Sequence, residues 1–183
     1  MIRTPRLILR PWREADGMPF HDMSRSAAVM EHLGGPASVE TTSQAIARID
    51  ACQTKHGHCF WAIERQADGA FLGCCGLKIG DIGTIRDEIE IGWRLREDAW
   101  GRGYAREAAE ASLAWGWANL PADRIVAITV AGNHRSWGLM ERLGMTRRVD
   151  MDFGHPAFTP GHPLHRHIAY IMDRPDASLQ TVQ

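Results

Sequence analysis

The chain has 183 residues, 44% of them hydrophobic and 23% charged, with a net charge of −1. A domain of this size buries a core without disulfide or metal staples, and the near-neutral balance excludes a general nucleic-acid or membrane-surface binder. The four cysteines, Cys52, Cys59, Cys74 and Cys75, form no C-x-x-C pair and read as reduced, mostly buried thiols. The opening MIRTPRLILRPW lacks the apolar core of a signal peptide, and no apolar run approaches the ~20 residues that span a bilayer, so a cytoplasmic protein is expected.

LILRPW alternates apolar and polar residues and predicts a strand that ends at Pro11. Residues 13–33 predict one or two short helices, broken at Gly34-Gly35-Pro36. SVETTSQAIARIDACQTKHG predicts a helix with Ser38, Thr41 or Thr42 as cap and Gly57 after its end. CFWAIER and AFLGCCGLKI predict two strands around the turn Ala67-Asp68-Gly69. Adjacent Cys74 and Cys75 then point to opposite faces. IRDEIEIGWRL predicts a third strand, and Tyr104 to Leu120 a helix. RIVAITV predicts a strand, and Ser136 to Leu143 a short helix stopped by Gly144. MTRRVDM predicts another strand, FGHPAFTPGHPL an ordered loop, and HRHIAYIMD a last strand. Residues 174–183 are expected to be a frayed tail. The order describes a mixed α/β domain with one central sheet.

The sharpest local signal is WGRGYAREA, residues 100–108, between a strand and a helix. Gly101 and Gly103 permit a tight turn and close approach of a ligand. The helix behind them offers free N–H groups and the positive end of its dipole, a setting for phosphate. Arg102 or Arg106 can add charge. The run is not G-x-x-x-x-G-K-[ST], and the third position of a dinucleotide G-x-G-x-x-G is taken by Arg106, so neither ATP nor NAD is favoured.

Three blocks in this order resemble the GNAT family of N-acetyltransferases, and in particular its RimJ/RimL-like branch. They are TPRLILRPWREAD, EIEIGWRLREDAWGRGYAREA and NHRSWGLMERLGM, and the resemblance covers residues 3–172. It implies a GNAT fold: an α/β (α+β) domain with a mixed sheet of about seven strands splayed after the fourth, flanked by about four helices. It also implies acetyl-CoA as co-substrate, a primary amine as acceptor (a protein N-terminus or a small molecule), and a homodimer as an option. The wider family begins its pyrophosphate loop with Gln or Arg. Here Trp100 stands in that place, so the backbone of Trp100, Gly101, Arg102, Gly103, Tyr104, Ala105 and Arg106 carries more of the contact. The resemblance assigns backbone contacts with the pantetheine arm to Trp93, Arg94 and Leu95, and places Asn133 and Ser136 beside the thiol.

Acetyl transfer to an amine needs a base, an oxyanion site and an acid for the departing thiolate. Glu88 and Glu90 are two apart and share one strand face. Glu90 is the favoured base, with Glu88 toward the substrate. Asn133 also suits a helix cap, and Ser136 is the favoured acid because Tyr104 and Tyr170 lie in the wrong places. His155 and His165, in a loop with Asp152, His162 and His167, are expected to line the acceptor pocket with Trp12. A zinc site there lacks any rigid ligand spacing, and no metal is expected. A non-catalytic acyl-CoA sensor on the same fold is the alternative; the presence of both Glu90 and Ser136 argues against it.

Overall fold

A computed structural model of the protein describes residues 1–175. Two short strands open the chain, β1 (Ile2–Arg3) and β2 (Leu7–Arg10). Helices α1 (Gly17–Arg25) and α2 (Ala27–Met30) follow. Helix α3 (Val39–His56) is capped at Ser38, whose hydroxyl accepts from the Thr41 N–H at 3.1 Å. It ends at Gly57 with φ of 77°, the left-handed conformation that only glycine adopts cheaply. Strands β3 (Phe60–Arg65) and β4 (Phe71–Ile79) form the expected hairpin. Next come β5 (Ile89–Leu95), α4 (Tyr104–Asn119), β6 (Arg124–Val130), α5 (His134–Arg142), β7 (Thr146–Gly154) and β8 (Arg166–Asp173).

The eight strands of the described residues join one mixed sheet in the order β1-β2-β3-β4-β5-β6-β8-β7. Sequence reasoning expects about seven strands and four helices; the additions are the two-residue β1 and the one-turn α2. The third predicted strand begins later than expected, because Ile85 closes a 3-10 turn and Asp87 adopts φ of 67°. Strand β7 runs past Met151 to Gly154 through an irregularity between Arg148 and Phe153. No helix among the described residues is long and apolar enough to cross a membrane.

Two layers of helix cover the sheet. Ile91 and Leu95 of β5, Leu77 of β4 and Ile125 of β6 pack with Ala108, Ala109 and Leu113 of α4 and Met140 of α5. On the other face, Cys74 and Ala62 meet Phe20 and Met23 of α1 and Ile46 of α3. Cys75 falls in the first cluster and Cys74 in the second, as strand alternation requires. All four cysteines are free.

One buried ion pair fixes the start of α1. Arg10 and Asp16 are each 3% exposed. Two parallel bonds of 2.7 and 2.8 Å join them, and the Arg10 Nε reaches Glu64 at 2.7 Å. Burial pushes the Asp16 carboxyl up, but the Arg10 bonds and the Arg13 N–H outweigh it and hold the group below the usual carboxylate range. At the other end of the fold, Arg174 donates to the carbonyls of Ala122 and Trp117 at 2.8 Å and lies over the Trp117 ring. The rest of the predicted tail, residues 176–183, lies outside the described residues.

Candidate active site

Strands β5 and β6 run parallel, but only Ile89 pairs with Ile125 and Glu90 with Val126. Beyond that point β5 stays on β4 as far as Leu95, while β6 stays on β8 as far as Val130. The two halves of the sheet therefore diverge, and Ile91–Leu95 have no strand partner on the β6 side among the described residues. The residues that the sequence assigns to cofactor contact, Trp93, Arg94 and Leu95, sit on this free edge. Trp93 and Leu95 turn toward the α4 layer. Arg94 turns to the opposite face, over the Phe20 ring at 5.3 Å and against Met30.

At the C-terminal end of β5 the chain turns through WGRGYAREA. Gly101 and Gly103 have φ of 70° and 78°, so both turn positions use the left-handed region. None of the N–H groups from Gly101 to Arg106 has a hydrogen-bond acceptor among the described residues, and no side chain caps α4. That is a cradle of oriented donors at the positive end of a 16-residue helix. Trp100 is structural here: its indole N–H donates to the Leu95 carbonyl at 2.8 Å. Tyr104 is buried in the core under the Arg6 guanidinium. Arg106 is paired with Glu110 at 2.7 Å, whereas Arg102 is exposed and makes no ion pair among the described residues. Arg135 of α5 stacks on Trp100 at 4.6 Å and brings a second cation to the loop. No short motif joins residue 135 to residue 100; only the packing of α5 against the turn does.

Glu90 lies where the strands part. It is 9% exposed. Burial pushes its carboxyl above the usual range, and the Lys78 ammonium, 3.1 Å from Oε2, pulls the other way. Glu88 is placed differently. It precedes β5, and its carboxylate is clamped by Arg124 at the first residue of β6. The spacing that puts two carboxylates on one face thus leaves Glu90 inside and Glu88 engaged at the closed end of the strands.

Asn133 caps α5, its Oδ1 accepting from the Ser136 N–H at 3.3 Å. This cap carries the half-buried Ser136 to the open end of β6, and its hydroxyl has no partner among the described residues.

Between the α2–α3 connection and the end of β6 lies a cavity of about 480 Å³. Glu31, His32, Val130, Phe158, His162 and Leu164 are among its walls. His155 and His165 do not line it. The His165 Nδ1 bonds the Phe158 carbonyl at 2.8 Å. His155 sits inside a continuous stack of rings, Phe153–His167–His155–Phe158–His162. Burial lowers the pKa of both His155 and His167 and favours their neutral forms. The Phe158–His162 end of the stack reaches the cavity. Trp12 is likewise committed to packing, edge-on to Phe20 at 4.9 Å with its N–H on the Phe60 carbonyl. Among the described residues, no three His, Cys, Asp or Glu side chains converge as a metal site.

The sheet thus splays beside a cradle of free donors at a helix start. Residues 6–146 match the acetyltransferase (GNAT) domain, and the chain belongs to that family and is an acetyltransferase. It is 29% identical over 150 residues to the N-acetyltransferase YnaD of Bacillus subtilis (strain 168), itself uncharacterised; the match spans 80% of this chain and 82% of YnaD. An acetyltransferase from Agrobacterium tumefaciens str. C58 superposes with a TM-score of 0.76 at 29% identity, over 93% of this chain and 92% of that one. RimL, a ribosomal L7/L12 alpha-N-protein acetyltransferase solved with coenzyme A, shares the fold with a TM-score of 0.74 at 19% identity, over 93% and 95% of the two chains.

Proposed function

We propose that the protein moves the acetyl group of acetyl-CoA onto a primary amine, on a small molecule or a protein N-terminus, by direct attack in a ternary complex. The observation that carries this reading is the run of unpartnered N–H groups from Gly101 to Arg106, set at the end of the free β5 edge. The cradle suits a pyrophosphate, with Arg102 and Arg135 as cations. The free edge suits an extended amide-bearing arm, which would pair with it as a strand does. Such pairing leads the thioester toward Asn133 and Ser136. The amine enters from the cavity beside Glu31. Glu90 takes a proton from the amine nitrogen, directly or through a water. The nitrogen lone pair attacks the thioester carbon, the C–S bond breaks, and the Ser136 hydroxyl passes a proton to the departing thiolate as water relays the proton held by Glu90 back to Ser136, so that both side chains end in their starting states. Coenzyme A in the RimL structure supports this choice of co-substrate.

Two measurements test the proposal. Isothermal titration of the purified protein with acetyl-CoA should show binding that weakens about 100-fold or more in Gly103→Glu. That change places a side chain at a left-handed position and an anion among the donors. No heat at millimolar acetyl-CoA in the unchanged protein would remove the reading. Ser136→Ala is expected to reduce thiol release about 10- to 100-fold, with unchanged acetyl-CoA affinity. An undiminished rate would hand the acid role to water.

A further inference from the structure

Lys78 and Glu90 are register partners across β4 and β5. The Nζ lies 3.1 Å from Oε2, an oxygen sealed from solvent. Asp81, in the turn after β4, takes a second Nζ–H at 3.0 Å. The carboxylate feels a fixed positive charge on its Oε2 side, while Oε1 is not among the sealed atoms and has no hydrogen-bond partner among the described residues.

A base needs that combination. A carboxyl buried alone takes up a proton and ceases to accept one. A carboxylate capped at both oxygens is charged but occupied. We propose that Lys78 is a positioning residue for Glu90: its ammonium, held by Asp81, sits against Oε2, keeps the carboxylate charged and leaves Oε1 to take the proton of the amine. This rests on the reading of Glu90 as base. The other charged groups nearby fit the same picture. Val126, opposite on β6, is apolar. Glu88 is neutralised by Arg124. His155, at the end of the β7 segment, interacts with both Asp81 and Lys78 but is held toward its neutral form by burial.

The test uses the full chain labelled with 13C at the glutamate side-chain carboxyl carbons, the Glu90 resonance being assigned by its loss in Glu90→Gln. In Lys78→Met its titration midpoint should rise by about one pH unit or more. In Lys78→Arg it should stay within about half a unit of the unchanged protein, because the charge is kept. An unshifted midpoint in Lys78→Met overturns the proposal. A parallel measurement follows free-thiol release with acetyl-CoA and the best primary amine from a screen. The acid limb of kcat/KM against pH should move upward in Lys78→Met by the same interval, with the rate recovering at high pH and with Lys78→Arg restoring the original limb. A uniform loss at every pH would mean that Lys78 only supports the fold. If Glu90→Gln remains fully active, the base assignment fails. If Glu90→Gln is inactive and Lys78→Met leaves both midpoint and limb unmoved, only the role of Lys78 fails.

Discussion

Glu90→Gln is expected to lower kcat at pH 7 by about 100- to 10,000-fold while acetyl-CoA affinity stays unchanged. The amide keeps the shape of the side chain and loses the ability to take a proton. The site is 9% exposed, so bulk water is poorly placed to substitute. The pH dependence follows from the direction of the shift. Burial raises the Glu90 pKa above the ordinary carboxylate value, so the wild-type rate should begin to fall at a less acidic pH than an exposed glutamate would dictate. In the variant that limb should vanish along with the rate. Thiol release and titration calorimetry on the same preparation check both halves. A rate within about threefold of wild type would exclude Glu90 as the base and shift attention to a base on the acceptor or in the cavity.

Arg10→Met is expected to cost about 3–5 kcal/mol of stability, because it leaves the Asp16 carboxylate buried without its partner. For a chain of this length that corresponds to a fall in Tm of about 6–20 °C. Arg10 is one of the most deeply buried charged groups in the protein, and its fork satisfies Asp16 while its Nε holds Glu64. Asp16 has a lowered folded pKa, so its contribution is present above the unfolded value, near pH 4, and fades as the pH falls through the folded value. The gap between wild type and variant should therefore narrow below about pH 4. Urea unfolding at pH 7 and pH 3 measures this. Arg10→Met combined with Asp16→Asn should lose less than Arg10→Met alone, since the unpaired charge is gone. A single-variant cost below about 1 kcal/mol would show that water reaches Asp16.

The parts of this molecule that are written locally were readable from the chain. Ser38 and Gly57 bracket α3, the Ala67-Asp68-Gly69 turn closes the hairpin, and Gly101 and Gly103 announce the donor cradle. Each is a conformational requirement of one or two residues. Register was not readable. That Lys78 faces Glu90 across 12 positions, and that Arg124 claims Glu88, depends on strand pairing that periodicity does not specify. Residues that cross layers were hidden for the same reason. Arg6 reaches Glu107 at the start of α4 at 2.6 Å, and Arg135 reaches Trp100. For the histidine-rich loop, composition reveals which rings are present and not how they stack. His155 lies mid-stack, and His162 comes to the wall.

The divergence of β5 and β6 also concerns how the protein keeps to itself. Unpaired strand edges invite other chains to add to them, and soluble proteins usually shorten or distort them. Both outer borders of this sheet are treated that way: β1 has two residues, and β7 is broken by its irregularity and carries the Arg148–Asp150 ion pair. The free stretch at Ile91–Leu95 is instead an interior border, flanked by α4 on one side and by α1 and α2 on the other. Strand addition by another chain is thereby discouraged at every border, while the interior one keeps its backbone groups free.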